Sequence, residues 1–181
     1  LKVDALATGS LEEAQLLRQH GIVLPILLFA FADSELTMRA VTEGFIPTLT
    51  HLQMAEAISG VVKNPTSVYL KIDAGLGRLG EPLDSARQWV EKIFQLPNLR
   101  IEGIYTHVPF ADSKQRDWAA QRLQAFDQFV AELKNAGYQF SVTQAMASCC
   151  LKSWGVKMWK GFADEQSRNE EGAENQCKSW T

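Results

Sequence analysis

Ten consecutive residues, Lys71 to Gly80 (KIDAGLGRLG), bring a lysine, an aspartate and an arginine together with three glycines. Strand alternation over Ser67–Asp73 sets Val68, Leu70 and Ile72 on one face and Tyr69, Lys71 and Asp73 on the other. Gly75, Gly77 and Gly80 let the following loop turn tightly and approach a ligand closely. Arg78 could then bring a guanidinium back to bind a carboxylate or a phenolate oxygen. An equal alternative has Lys71 pairing with Asp73 and leaves Arg78 as a surface charge.

Two further segments offer polar groups at strand ends. In Ile101–Asp112 (IEGIYTHVPFAD), Tyr105 and His107 share a face, and His107 stands where strand gives way to loop. There it could donate to a cofactor ring or hold an arginine, although a lone strand-end histidine is more often structural. In Thr143–Cys150 (TQAMASCC), small hydroxyl residues and free backbone N–H groups after a strand could bind phosphate.

The elements that must position these groups alternate in type. Val3–Thr8 reads as a strand, and a helix capped by Ser10 stops at Gly21. The apolar run Ile26–Phe31 suits a parallel strand covered on both faces. A helix from Asp33 or Ser34 to near Gly44, a strand Phe45–Leu49 and a helix after Thr50 come next, with Gly60 expected to end that helix early. Strand Ser67–Asp73, a helix starting at Pro82, strand Leu99–Thr106, a long helix over about Asp117–Ala136 and strand Phe140–Ala145 complete the series. Six strands alternating with five helices imply an α/β fold with a parallel sheet. Composition does not separate an open doubly wound sheet from a closed barrel, but no GxGxxG follows the first strand.

The chain of 181 residues is 46% hydrophobic and 22% charged, ordinary for a globular protein. A formal charge of −3 gives no reason to expect nucleic acid as a partner, and no apolar run approaches the ~20 residues of a membrane span. Three cysteines, two of them the adjacent Cys149 and Cys150, fit a reduced, cytoplasmic compartment. No CxxC or HxxxH spacing suggests a metal site. Residues 154–181 differ in character. From Gly161 onward the chain has no Leu, Ile or Val and carries the whole net charge of −3. That tail is expected to be disordered or foreign to the fold.

Together these segments resemble the alanine racemases. KIDAGLGRLG is similar to that family's K-x-D-T-G-M-x-R-x-G, with Ala74 and Leu76 in place of Thr and Met, and EGIYTHVPFAD is similar to E-G-x-x-T-H-F-A-x-A-D. The opening VDALATGSLEEAQLLRQHGI resembles the strand and helix that follow the cofactor lysine. The likeness runs from Leu1 to about Ser153, so residues 1–153 are expected to form a partial (β/α)8 barrel with about six of eight strands, and 154–181 a divergent tail.

The resemblance implies pyridoxal 5′-phosphate (PLP) as cofactor and an amino acid, alanine or serine, as the substrate interconverted between L and D forms. Lys71 corresponds to the often carbamylated lysine that braces the arginine, Arg78 to that arginine beside the cofactor's phenolic oxygen, and His107 to the histidine near the pyridine ring. Ser148 corresponds to the phosphate-binding serine. The family is homodimeric. Racemisation needs a base on each face of the α-carbon. In the family these are a Schiff-base lysine and a tyrosine from a C-terminal domain, and neither has a counterpart in these 181 residues, nor does the R-P-G arginine. The opening at Leu1 reads as a cut end, and the text after Ser153 as a frameshift or misread coding end. The expectation is a racemase fragment, inactive alone and prone to aggregate through its open edges. A non-catalytic PLP-binding barrel and a decayed product are the alternatives, ahead of a metal-using aldolase or dehydratase of the same fold type.

Overall fold

A computed structural model describes residues 3–29, 33–108 and 116–146. Ser148, the three cysteines and the 154–181 tail lie outside the described residues. The chain alternates strand and helix in the order β1 (Leu6–Thr8), α1 (Leu11–Gln19), β2 (Ile26–Leu28), α2 (Ser34–Thr42), β3 (Thr48–Leu49), α3 (Leu52–Val61), β4 (Thr66–Asp73), β5 (Glu81–Pro82), α4 (Leu83–Phe94), β6 (Leu99–His107), α5 (Arg116–Asn135) and β7 (Val142–Met146).

Local chemistry explains several boundaries. Ser10 caps α1 by accepting from the Glu13 amide at 3.3 Å, and Asp33 caps α2 by accepting from the Glu35 amide at 2.7 Å. Gly60 does not end α3, which continues to Val61. Its propensity cost is small beside the burial of Met54, Ala55 and Ile58 on the same helix. Pro82 stands at the cap of α4 with an extended ψ of 145°, one residue ahead of the helix, because Glu81 and Pro82 first pair with β4.

The strand order decides between the two candidate architectures. Parallel pairing runs β1–β2, then β3–β4–β6–β7. The two groups are joined where Leu27 bridges Ile46, with Ile46 N–H donating to Ile26 O and Leu28 N–H to Ile46 O, both at 2.9 Å. Each major strand therefore lies beside its predecessor in sequence. A doubly wound sheet needs a reversal of strand order, and none occurs among the described residues. The wall is an arc of a (β/α)8 barrel, with helices outside.

Side chains sort accordingly. Val68, Leu70, Ile72, Ile104 and Ala145 pack outward against α3, α4 and α5 in the main core, whereas Leu27, Tyr69 and Tyr105 cluster on the inner face. A bulge in the β4–β6 ladder keeps this sorting intact. Val68 pairs with Ile101 but Tyr69 with Gly103, so Glu102 is the extra residue. The phase shift lets Ile101 and Ile104 both face the helices while Tyr105 faces inward. Gly103 is required at that point, because a Cβ there would overlap the Tyr69 ring.

Candidate functional site

At the C-terminal ends of β2, β4 and β6 the inner face opens into a cavity of about 220 Å³. Its walls are Phe29 from β2's end, Lys71 and Asp73 from β4, Leu76, Arg78 and Leu79 from the loop after β4, and Tyr105 and His107 from β6. Barrel enzymes place their chemistry at this end. The fold thus brings together Lys71, Arg78 and His107, three of the four residues singled out in the sequence. Ser148 lies outside the described residues.

Lys71 is the most constrained. It is only 7% exposed, and its Nζ stands 4.9 Å from the centroid of the Tyr105 ring. Burial drives its pKa from 10.5 to about 8, against an opposing pull from Asp73 and with a further push from Arg78. His107 is lowered chiefly by burial and then by the positive charges of Lys71 and Arg78, which favours its neutral imidazole. Arg78 is exposed at the rim of the cavity, so the surface-charge reading is correct about its solvent access and incomplete about its surroundings.

Asp73 does not serve as a simple counter-ion to Lys71. Its Oδ1 accepts from the amides of Gly75 and Leu76 at 2.8 and 2.7 Å, and its Oδ2 from the amide of Arg78 at 3.1 Å. Among the described residues, the one carboxylate lining the cavity is thereby committed to loop backbone, while Lys71 and Arg78 face the same space. A site with two cationic side chains, a neutral imidazole and apolar walls suits a flat, anionic ligand.

Phe29 is a site residue that spacing in the sequence does not signal. It lies more than 40 positions before Lys71 and enters only because β2 curves round the barrel, where its ring meets Tyr105 at 6.0 Å and 60°. Thr48 is another. It accepts the Tyr105 hydroxyl at 3.3 Å and donates to Leu28 O at 2.8 Å, tying three strands together across the interior.

The sequence model described as "Alanine racemase, N-terminal domain" matches residues 1–162. An alanine racemase of Methanococcus maripaludis is 30% identical over 152 residues, covering 82% of this chain and 41% of the relative. One from Desulfosudis oleivorans is 32% identical over 160 residues, with the same coverage of 82% and 41%. Among solved structures, alanine racemase of Clostridium difficile 630 superposes with a TM-score of 0.75 at 26% identity, covering 82% of this chain and 42% of that one. The chain therefore spans about 41% of the length of the curated relatives it matches.

Proposed function

Because this chain belongs to the alanine racemase N-terminal domain family, we propose that it forms the cofactor-facing part of the barrel of a PLP-dependent amino-acid racemase. The observation that carries the reading is the cationic cavity. Lys71 and Arg78 meet there, with the lining carboxylate already bound to backbone. Those donors fit the phenolic oxygen and carboxylate of a pyridoxal compound bearing an amino acid, and His107 offers a neutral ring beside the same space. The phosphate contact assigned to Ser148 is part of the proposal. The protein so assigned is cytoplasmic and works as a homodimer on alanine or serine. Among the described residues, no helix is long and apolar enough to cross a membrane.

When bound, PLP supplies an electron sink that acidifies the α-proton of the attached amino acid. This chain's own residues contribute binding and charge. Arg78 offers the planar donor fork of its guanidinium to negative charge at the rim. Lys71 holds positive charge inside the barrel below about pH 8, and its neutral amine becomes abundant above that pH. His107, kept neutral, leaves the ring region without a third cation. Phe29, Leu76 and Leu79 exclude water from the apolar side of the cavity. Removal and return of the α-proton need a base on each face, and the residues lining this cavity are assigned binding and charge, not that role. We expect these residues alone to bind the ligand without turning it over.

The test is a binding titration of the chain with PLP, run beside an assay for racemisation of L-alanine and L-serine. Binding without racemisation is expected. Absence of binding up to millimolar PLP would remove the proposal.

A further inference from the structure

We propose that Asp73 is a positioning residue that sets the place of Arg78, acting through the loop backbone and not as the partner of Lys71. The loop from Asp73 to Pro82 leaves β4 and returns to it. Glu81 and Pro82 pair with Ile72 and Asp73, so the loop is closed at its base. Gly80, at φ +112°, passes so near β4 that a Cβ would lie 2.7 Å from Lys71 O and 2.9 Å from Lys71 Cγ. Inside this closed loop the two oxygens of Asp73 do different work. Oδ1 gathers the amides of Gly75 and Leu76 and shapes the first turn, while Oδ2 holds only the amide of Arg78 among the described contacts. From outside, α5 supports the turn, with Arg122 Cδ 2.9 Å and Trp118 Cζ2 3.6 Å from where a Gly75 Cβ would stand.

This division makes one substitution selective. In Asp73→Asn the amide oxygen can take the place of Oδ1 and keep Gly75 and Leu76, but the NH₂ group then faces the Arg78 N–H, donor against donor. The turn survives, and the arginine loses its anchor. Charge-assisted bonds from backbone amides to a carboxylate are among the stronger hydrogen bonds in proteins, so the loss is measurable.

The consequence for ligand binding rests on the racemase reading above; the loop anchor itself does not. Two measurements separate them. Amide hydrogen exchange on the unmodified chain should show Gly75, Leu76 and Arg78 protected relative to Gly77 and Leu79, and Asp73→Asn should lose protection at Arg78 while keeping it at Leu76. Equal protection throughout the loop, or a uniform loss, overturns the anchor. Pyridoxine 5′-phosphate, which lacks the aldehyde and cannot condense with surface lysines, then serves as probe in a double-mutant cycle. Asp73→Asn should weaken its binding on the order of tenfold. In an Arg78→Ala background the same change should cost far less, what remains being the charge that Asp73 sets against Lys71. Additive losses would make Asp73 a general structural group and overturn the assignment. If the unmodified chain shows the exchange pattern but does not bind the probe, the racemase reading fails and the anchor stands.

Discussion

Lys71 Nζ lies 4.9 Å from the centroid of the Tyr105 ring, inside the barrel wall, on a strand directly beside that of its aromatic neighbour. Register explains the contact, since Lys71 and Tyr105 are cross-strand partners in the β4–β6 ladder. The ring is held by its hydroxyl, which donates to Thr48. A buried cation is thus set against an aromatic face whose position is fixed from the far side of the interior.

Replacing Lys71 with methionine should stabilise the protein at neutral pH. The folded lysine gives up its proton near pH 8 and the unfolded one near 10.5, so between those values the unfolded state binds more protons and stability rises with pH. Below pH 8 the full cost of burying the charge is present, on the order of 3 kcal/mol. Lys71→Met should raise the melting temperature at pH 7 and abolish the rise between pH 8 and 10.5. An unfolding series in urea across that range reads both effects.

Pyridoxine 5′-phosphate affinity should fall as pH rises through about 8, as Lys71 loses its charge. A decline of roughly tenfold between pH 7 and 9.5 is expected from one lost charge–charge contact in a partly enclosed site. In Lys71→Met the affinity should be lower at pH 7 and flat across the same interval. Calorimetric titration at four or five pH values distinguishes this from a slope set by the ligand alone.

Gly103→Ala should destabilise the barrel by about 1–3 kcal/mol, because the new methyl overlaps the Tyr69 ring and neither strand can shift without disturbing the bulge. Shrinking the ring should relieve it. The pair Gly103→Ala with Tyr69→Ala is expected to lose much less than the sum of the two single changes, which chemical denaturation of the four proteins can show.

Much of this was legible in the sequence. The alternation of Val68, Leu70 and Ile72 with Tyr69, Lys71 and Asp73 correctly assigned the two faces of β4, because a strand covered by helices leaves no freedom in that pattern. Lys71, Arg78 and His107 can be singled out as candidates from spacing and resemblance, and the fold brings the three to one cavity. Phe29 and Thr48 were not, because their role depends on barrel curvature and cross-strand neighbours that no local spacing encodes. The division of labour in Asp73 was also hidden. An Asp two residues after a Lys on one strand face invites an ion pair, and only the backbone path of the loop shows three amides reaching the carboxylate first. The Glu81–Pro82 pairing is hidden in the sequence because Pro82 reads equally well as a helix start.

The most direct test of the cofactor-facing cavity is to map pyridoxine 5′-phosphate on the ¹⁵N-labelled chain by amide chemical-shift changes. A saturable set of changes is expected at Lys71, the Gly75–Gly80 loop and His107, lost in Arg78→Ala. Changes confined to other surfaces, such as the groove beside α1 at Leu16, Leu17 and His20, would contradict it.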